Sequence, residues 1–329
     1  MTALGLCIVG CGRFATFHAR AARRLRVGPL SFASRDPALA EVYRRRFGGV
    51  AAFGSYEAAA ADPRVGALVF CTPHSLHLDN VRLAAKHRKA VLLEKPIART
   101  LDEADEMLAE AAAAGIPFMV AENFHFMPAF VAARRLLAAG AIGEVRQLLV
   151  SARGFRRPAG WRRRRQDVGG GILIDGGIHY IHLLQDWAGP VVQVHAVAPP
   201  NLFAEVEGED TAFLLLRFRR GAVGSLANSL ASPGLPRRQA TWVSGTEGSL
   251  AVDNRGRYLW LRSRTRRGLR VFFRDLRGIR AQLADFVGAA RENRPPALPA
   301  AATRRDLAVV LAAYRSIETG QPVGLPHAD

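Results

Sequence analysis

The chain has 329 residues, 49% of them hydrophobic, and a formal net charge of +18. This length predicts about two domains with hydrophobic cores, and no apolar run approaches the roughly 18 residues of a membrane span, which excludes a membrane protein. Positive charge is a common sign of nucleic-acid binding. Here the arginines are scattered and accompany no known nucleic-acid motif, so we expect no specific nucleic-acid partner.

The amino terminus and the cysteines indicate where the protein works. No basic segment precedes the short apolar stretch at the start, which is typical of a first strand and not of a signal peptide. We therefore expect a cytoplasmic protein. Cys7, Cys11 and Cys71 are odd in number and lack matched Cys or His spacing, so we expect no disulfide framework and no metal site.

Short apolar runs alternate with alanine-rich helical segments in the first third of the chain. The predicted strands are 4–9, 30–33, 67–71, 90–93 and 118–121, and the predicted helices between them are 14–25, 38–47, 55–61, 77–86 and 101–114. Strict alternation of this kind predicts a parallel sheet with helices on both faces. We expect residues 1–122 to form a doubly wound Rossmann domain that binds a dinucleotide.

The pattern changes near residue 123. A helix is predicted at 129–139 and a helical block at 171–187, and several runs of period-two character follow, separated by turn signals such as Asn254-Arg255-Gly256. Helices at 279–291 and 303–318 close the chain. We expect residues 123–329 to form an α+β domain with a large open, mainly antiparallel sheet.

The turn after the first strand has the sequence Gly10-x-Gly12-x-x-Ala15, with Arg13 and Phe14 between the last two. The first glycine permits a tight turn, the second lets the backbone approach a pyrophosphate, and the alanine allows close helix packing. These five residues are predicted to bind a dinucleotide.

The end of the second strand bears on the choice of dinucleotide. Ser34 and Arg35 stand where an NAD enzyme usually has a carboxylate for the ribose 2′-hydroxyl. A guanidinium suits a 2′-phosphate instead, so NADP is the preferred prediction. NAD stays possible because Asp36 is one residue away, and Asp36 can also be the cap of the next helix.

Further predicted cofactor contacts follow the third and fourth predicted strands. Thr72-Pro73 is expected to border the ligand crevice, and the nearby His74 and His77 are included without a catalytic role. Glu94-Lys95-Pro96 follows the next strand. Lys95 is one of only three lysines among 46 basic residues. A lysine can change its pKa and release a proton, whereas an arginine cannot.

A glycine-rich stretch near residue 175 is the second candidate for chemistry. Asp175 and His179 are four residues apart, which places them on one face of a helix. Five surrounding glycines each cost about 1 kcal/mol relative to alanine in a helix. Close approach of a ligand or of another backbone segment would account for this glycine excess.

Taken in order, these motifs resemble the Gfo/Idh/MocA family of oxidoreductases. The resemblance runs nearly end to end and rests on the Gly10 turn, "CTP", "EKP", "AENFHFMPA", "GGGILIDGGIH" and "AAYRSIETGQPV". It implies a Rossmann domain, a second domain whose open sheet often serves oligomerisation (a homodimer or homotetramer), and hydride transfer between a nicotinamide cofactor and a sugar-like or cyclitol substrate.

The resemblance also implies roles for particular residues. Lys95, Asp175 and His179 match the catalytic positions, and the expected substrate-binding residues are Lys95, His125, Trp161, Arg162, Asp175 and His179. Three positions depart from the family pattern: His125 where many members have Arg, Gly176 where a larger apolar residue is common, and His182 where many have Asp. These departures leave the identity of the substrate open.

Two questions stay open at the level of sequence. Either His179 or Lys95 carries the proton that moves with the hydride. The activity itself has two alternatives, a glycoside-cleaving enzyme that oxidises its substrate transiently and a non-catalytic dinucleotide-sensing regulator. The arginines 162–165 either meet an anionic substrate group or form an exposed loop.

Overall fold

The computed structural model describes residues 4–233 and 239–326. These residues form two compact units. The first contains the described residues up to Asn123 together with Ile279–Arg304. The second contains Phe124–Gly278 together with the described residues from Arg305 onward.

A parallel sheet forms the centre of the first unit. In the described residues it has six strands in the order β3-β2-β1-β4-β5-β6. Its strands are β1 Leu6–Val9, β2 Leu30–Ala33, β3 Ala51–Phe53, β4 Ala67–Phe70, β5 Ala90–Leu93 and β6 Phe118–Val120. The predicted doubly wound Rossmann architecture is confirmed. The prediction missed β3, because a half-buried edge strand of three residues carries little sequence signal.

Helices connect these strands, and local sequence fixes their ends. They are α1 Arg13–Leu25, α2 Pro37–Phe47, α3 Tyr56–Ala61, α4 His77–Lys86 and α5 Leu101–Ala113. Asp36 accepts from two backbone N–H groups at the start of α2, and the Thr100 hydroxyl accepts from Glu103 N at the start of α5. Gly48 ends α2 in the left-handed conformation.

One helix from late in the chain belongs to the first unit. Helix α9, Ile279–Glu292, packs against α1 and buries Leu283, Phe286 and Val287. The predicted second domain, 123–329, therefore loses the segment Ile279–Arg304 to the first unit. The amphipathic pattern predicted the helix correctly, but such a pattern does not say which core the apolar face joins.

The second unit is built on a nine-stranded sheet, counted within the described residues, in the order β14-β13-β12-β11-β7-β10-β9-β8-β15. Neighbouring strands are antiparallel except for β7 and β10, which confirms the predicted mainly antiparallel sheet. The strands are β7 Val145–Arg153, β8 Val191–Val197, β9 Thr211–Phe218, β10 Val223–Ser229, β11 Gln239–Gly245, β12 Gly248–Asp253, β13 Tyr258–Ser263, β14 Arg267–Val271 and β15 Val323–Gly324.

Helices cover one face of this sheet. They are α6 Pro128–Ala138, α7 Arg165–Val168, α8 Ile178–Ala188 and, from Arg305 onward, most of α10 Ala300–Thr319. From Ala212 onward the side chains of β9 alternate: Leu214 and Leu216 are buried, and Phe213 and Leu215 are exposed on the other face. Among residues 4–233 and 239–326, no helix is both long enough and apolar enough to cross a membrane.

Candidate functional site

The turn between β1 and α1 has the geometry expected for a dinucleotide site. Gly10 has φ +88°, and a Cβ atom there would lie 3.0 Å from the Cys71 backbone. Gly12 is the N-cap of α1, and apart from its chain neighbours no protein atom lies within 4 Å of the place of its missing Cβ. Ala15 is fully buried against the sheet. Protein packing therefore explains Gly10 and Ala15, whereas Gly12 leaves open space in front of the helix N-terminus.

The end of β2 exposes one positive charge. The carboxylate of Asp36 is occupied as the cap of α2, at 3.0 Å from Ala38 N and 3.3 Å from Leu39 N. The Ser34 hydroxyl accepts from Asp36 N at 3.2 Å and is buried. Arg35 is exposed beside Tyr56. The helix-cap interpretation of Asp36 is therefore confirmed, and Arg35 is the basic group that this strand end offers.

The loop after β4 contains a histidine that holds the backbone. His77 is fully buried, and its Nδ1–H donates to Pro96 O at 3.0 Å, while Nε2 lies 3.4 Å from Thr72 O. Burial lowers the His77 pKa to about 4 although both carbonyl oxygens favour its charged form. The ring that is predicted to touch the cofactor therefore also holds the backbone at Thr72 and at Pro96.

His74, Thr72 and Pro73 occupy the same loop. The Thr72 side chain is buried and its hydroxyl accepts from Asn80 Nδ2 at 2.7 Å. The His74 ring is also buried, with its centroid 5.5 Å from that of His77. Pro73 immediately precedes the short 3₁₀ turn His74–Leu76 that leads into α4. Side-chain contacts therefore fix the shape of the loop whose residues are predicted to contact the cofactor.

Lys95 lies directly after β5 and is almost buried, with 7% of its surface exposed. The carboxyl oxygen Oε1 of the preceding Glu94 is hydrogen-bonded to His18 Nε2 at 2.7 Å. The following Lys95–Pro96 peptide bond is cis. His18 therefore bonds the side chain before Lys95, and His77 bonds the backbone carbonyl after it. Sequence reasoning missed His18 because it lies 76 residues away, on α1.

One group of potential ligand atoms lies beside Lys95. His18, Cys71 and Glu94 each offer an atom within 4.8 Å of the other two. Burial raises the pKa of the Cys71 thiol well above its ordinary value, which favours the protonated thiol over the thiolate that binds metals. Because a protonated thiol is a poor metal ligand, the close approach of His18 and Glu94 is explained by their hydrogen bond rather than by metal coordination.

The glycine-rich stretch of the second unit forms a π-turn followed by a helix. The π-turn covers Leu173–Gly177 and leads directly into α8, where the sequence predicts one regular helix. A Cβ on Gly170 would lie 2.2 Å from the Tyr314 hydroxyl, and one on Gly171 would lie 2.1 Å from Glu209 O. The glycine excess is therefore explained by close approach of another segment of the chain.

Asp175 and His179 lie on this π-turn and on the first turn of α8. Asp175 Oδ2 accepts from Arg162 Nε at 3.2 Å, and the Arg162 guanidinium covers the Trp161 ring at 4.3 Å. The His179 ring stacks on Phe124, with ring centroids 4.5 Å apart and an angle of 10°. Arg162 was predicted to meet the substrate. The structure also assigns it a protein partner, the carboxylate of Asp175.

The two unusual histidines contact each other. His125 Nδ1 lies 3.2 Å from His182 Nε2, and His182 Nδ1 lies 2.8 Å from Asp306 Oδ2. Arg134 Nη1 lies within 3.2 Å of both His125 ring nitrogens and also contacts Asp186. Sequence reasoning missed Asp306, because a pairing across 124 residues leaves no local signal. It also missed Arg134, nine residues from His125 on α6.

Two family models match the chain. The model described as "Oxidoreductase family, NAD-binding Rossmann fold" matches residues 4–122, and the GFO/IDH/MocA C-terminal domain matches residues 130–251. Trans-1,2-dihydrobenzene-1,2-diol dehydrogenase from Mus musculus is 33% identical over 224 residues, which cover 68% of this chain and 66%, just under two thirds, of that protein.

Other relatives match over longer stretches. The oxidoreductase YrbE from Bacillus subtilis is 30% identical over 264 residues, which are 75% of this chain and 73% of that protein. Myo-inositol 2-dehydrogenase from Thermotoga maritima is 27% identical over 331 residues, with 97% of each chain covered. Among solved structures, an oxidoreductase domain protein from Kribbella flavida is 25% identical, with a TM-score of 0.91 over 99% of this chain and 100% of that one.

Proposed function

Because the chain belongs to the GFO/IDH/MocA family of NAD(P)-dependent oxidoreductases, we propose that it transfers a hydride between a nicotinamide dinucleotide and a carbinol carbon of a cyclic polyol or sugar. The observation that carries this proposal is the joint presence of an open glycine at the Rossmann turn, a buried lysine after β5 and an Asp/His pair on the π-turn and α8. A protein that only senses a dinucleotide needs the first of these and not the other two.

The residues at the Gly12 turn fit a dinucleotide. The place of the missing Cβ is open, and the N-terminus of α1 points its unpaired backbone N–H groups there, which suits a pyrophosphate. Such a cofactor supplies a carbon that accepts or returns the hydride. Arg35 supports NADP, because it is exposed at the β2 end while Asp36 is occupied as a helix cap.

His179 is the proposed proton carrier. Oxidation of an alcohol removes a hydride from carbon and a proton from oxygen, so a neutral imidazole is needed to take that proton. Asp175 orients the imidazole or accepts from a neighbouring substrate hydroxyl, and Lys95 donates to the reacting oxygen. The reverse assignment, with Lys95 as the proton carrier, is the outcome that the variants below decide.

The substrate class is proposed from relatives and from the surfaces around His179. Two relatives are named for six-membered rings with neighbouring hydroxyl groups, a dihydrobenzenediol and myo-inositol. Phe124 and Trp161 offer apolar ring surfaces, and Asp175 and Arg162 offer an acceptor and donors for hydroxyl groups. A cyclic vicinal diol matches both features.

The second unit is also proposed to bind a second copy of the chain. Strand register aligns Leu215, Leu149, Trp242, Trp260 and Leu269 in one row across the exposed sheet face, and 40–63% of each residue's surface is exposed. The row crosses seven strands, with Ser225 and Ala251 at the two positions between these apolar residues, and such an exposed apolar surface is typical of an interface. Trp242→Glu should convert a dimer or tetramer into monomers, as measured by light scattering. A wild-type protein that is monomeric at micromolar concentration would contradict the assignment.

The activity is tested by single-turnover hydride transfer with NAD⁺ and NADP⁺, using myo-inositol and trans-1,2-dihydrobenzene-1,2-diol as probes. Lys95→Ala and His179→Ala should each lower the rate by about a hundredfold or more, the usual scale of positioned acid–base catalysis. Cofactor affinity should change little. Lys86→Ala is the matched control, since Lys86 is an exposed lysine paired with Glu57.

Lys95→Arg separates the two possible roles of the lysine. If Lys95 only provides positive charge, arginine restores most of the rate; if it fits closely or passes a proton, arginine restores almost none. Wild-type rates in both Lys95→Ala and His179→Ala would contradict the proposal. Tight cofactor binding without turnover of any polyol would support the regulator instead, and cleavage of glycosides without net cofactor reduction would support the glycoside-cleaving enzyme.

A further inference from the structure

The π-turn that carries Asp175 is held from outside by two side chains that no step of the proposed reaction uses. Tyr314 comes from α10 and Glu209 from the segment before β9, 140 and 36 residues from their partners in the turn. The Tyr314 hydroxyl accepts from Gly171 N at 3.1 Å and from Ile174 N at 3.2 Å. Glu209 Oε1 accepts from Leu173 N at 2.8 Å and from the Tyr314 hydroxyl at 3.1 Å.

These contacts satisfy groups that a helix start leaves unpaired. The first backbone N–H groups of a helix have no partner within the helix, and a glycine-rich π-turn has little intrinsic stability. Here Gly171 N, Leu173 N and Ile174 N each have a side-chain acceptor, and Ile172 N donates to Glu209 O at 2.7 Å. Four successive N–H groups before Asp175 are therefore fixed by Glu209 and Tyr314.

The two segments approach so closely that side chains cannot be accommodated at their glycines. A Cβ on Gly170 would overlap the Tyr314 hydroxyl, and a Cβ on Gly208 would lie 2.1 Å from Gly170 O. The segment before β9 and the start of the π-turn are thus in backbone contact. Asp175 N in turn donates to Gly171 O at 3.2 Å, so the position of Asp175 depends directly on the fixed residues.

We propose that Glu209 and Tyr314 are positioning residues, which set the location of Asp175 and His179 by fixing the π-turn. The inference rests on the proposed function, since it concerns the placing of the two residues to which that function assigns chemistry. Neither Glu209 nor Tyr314 is assigned a contact with substrate. The positively charged group near Glu209 is Arg165 on α7, and Tyr314 is the titratable group that faces it from α10.

The experiment compares Tyr314→Phe and Glu209→Ala with Glu209→Gln. Tyr314→Phe removes the acceptor for two N–H groups, and Glu209→Ala removes the acceptor for Leu173 N. Glu209→Gln keeps an oxygen at the same place and should rescue the arrangement. Tyr258→Phe is the matched control, because Tyr258 is an exposed tyrosine of the same unit and loses the same hydroxyl.

Two measurements need no substrate. Hydrogen exchange of the peptide that contains residues 171–175 should become about tenfold faster in Tyr314→Phe and Glu209→Ala, the scale of one ordinary hydrogen bond. The NMR signals of the His179 ring should also move, because their shifts depend on stacking against Phe124. If Glu209 and Tyr314 stabilised only other parts of the unit, their substitution would leave the His179 signals of a folded variant unchanged.

The outcomes separate this inference from the proposed function. Unchanged His179 signals and unchanged exchange at 171–175 in folded Tyr314→Phe would overturn the inference. If these signals move, turnover of the probe that wild type accepts should fall about tenfold or more while the affinity for the dinucleotide stays the same. If the signals move and His179→Ala keeps the wild-type rate, the positioning stands and the proposed chemistry fails.

Discussion

Glu209 gives the second unit a stability that should depend on pH. Part of the residue reaches the surface, but the carboxyl group is enclosed by protein, and this desolvation raises its pKa from 4.5 to about 7. Hydrogen bonds from Leu173 N, from the backbone of Glu209 and from Tyr314 oppose the rise, as does the positive charge of Arg165. The folded state therefore binds this proton more tightly than the unfolded state does.

The sign and size of the effect follow from that difference. A raised carboxyl pKa contributes stability that is fully present below pH 4.5 and is lost as the pH rises through about 7. At about 1.4 kcal/mol per pH unit, the loss amounts to about 3 kcal/mol. Glu209→Gln removes the titration and keeps the acceptor oxygen, so its free energy of unfolding should fall less over this range.

The measurement is urea unfolding of wild type and Glu209→Gln at pH 4.5, 6 and 8, followed by a probe of the second unit such as tryptophan fluorescence. The two proteins should be nearly equal in stability at the lowest pH, and the variant should be more stable by up to about 3 kcal/mol at the highest. Glu292→Gln controls for loss of a carboxylate, because Glu292 is an exposed residue at the end of α9. Parallel pH curves for wild type and Glu209→Gln would refute this account of the carboxyl group.

Three further outcomes are expected. Arg35→Ala should weaken NADPH binding about tenfold or more and leave NADH binding nearly unchanged in titration calorimetry; tighter binding of NADH than NADPH by the wild type would contradict this and make Asp36 the residue to test. The pKa of His77 is lowered to about 4, so His77 contributes stability that is present above pH 6.5 and lost as the pH falls through about 4. In thermal melts, the melting temperature of His77→Gln, which keeps an N–H donor for Pro96 O, should therefore fall less on acidification than that of wild type. Equal falls in the two proteins would argue against this account. His182→Ala removes the hydrogen bond between His182 Nδ1 and the buried Asp306 Oδ2 and should lower the free energy of unfolding by about 2 kcal/mol in urea melts. A change below about 0.5 kcal/mol would show that the remaining contacts of Asp306, among them the bond from Gln185 Nε2 to Oδ1, satisfy that carboxylate.

Much of the fold could be predicted from sequence because each local signal had one physical meaning. Alternating apolar runs and helices specify a parallel sheet, and the Gly10 turn places the cofactor end of it. Strand β14 was missed because it is exposed at all five positions and has no apolar face to detect. Strand β12 and the two-residue strand β15 were missed as well. The assignment of α9 to the first unit was missed because an amphipathic pattern does not identify its partner.

The candidate site was predicted less completely, for a related reason. Lys95, Asp175 and His179 carry rare or patterned residue types, whereas His18, Glu209 and Tyr314 gain their roles only through contacts with distant parts of the chain. The five glycines near Asp175 gave the one usable signal, because an excess of glycine predicts close approach. Sequence alone did not identify which segment approaches.

The contact between His125 and His182 limits what the His125 ring can offer to a substrate. If His182 donates from Nδ1 to the Asp306 carboxylate, its Nε2 accepts, and His125 donates to it from Nδ1. Arg134 Nη1 lies 2.9 Å from His125 Nδ1 and 3.2 Å from His125 Nε2, and in this arrangement only Nε2 can accept from it. Each ring nitrogen of His125 then has a protein partner. A substrate hydroxyl that bonds to either nitrogen must therefore displace Arg134 or His182.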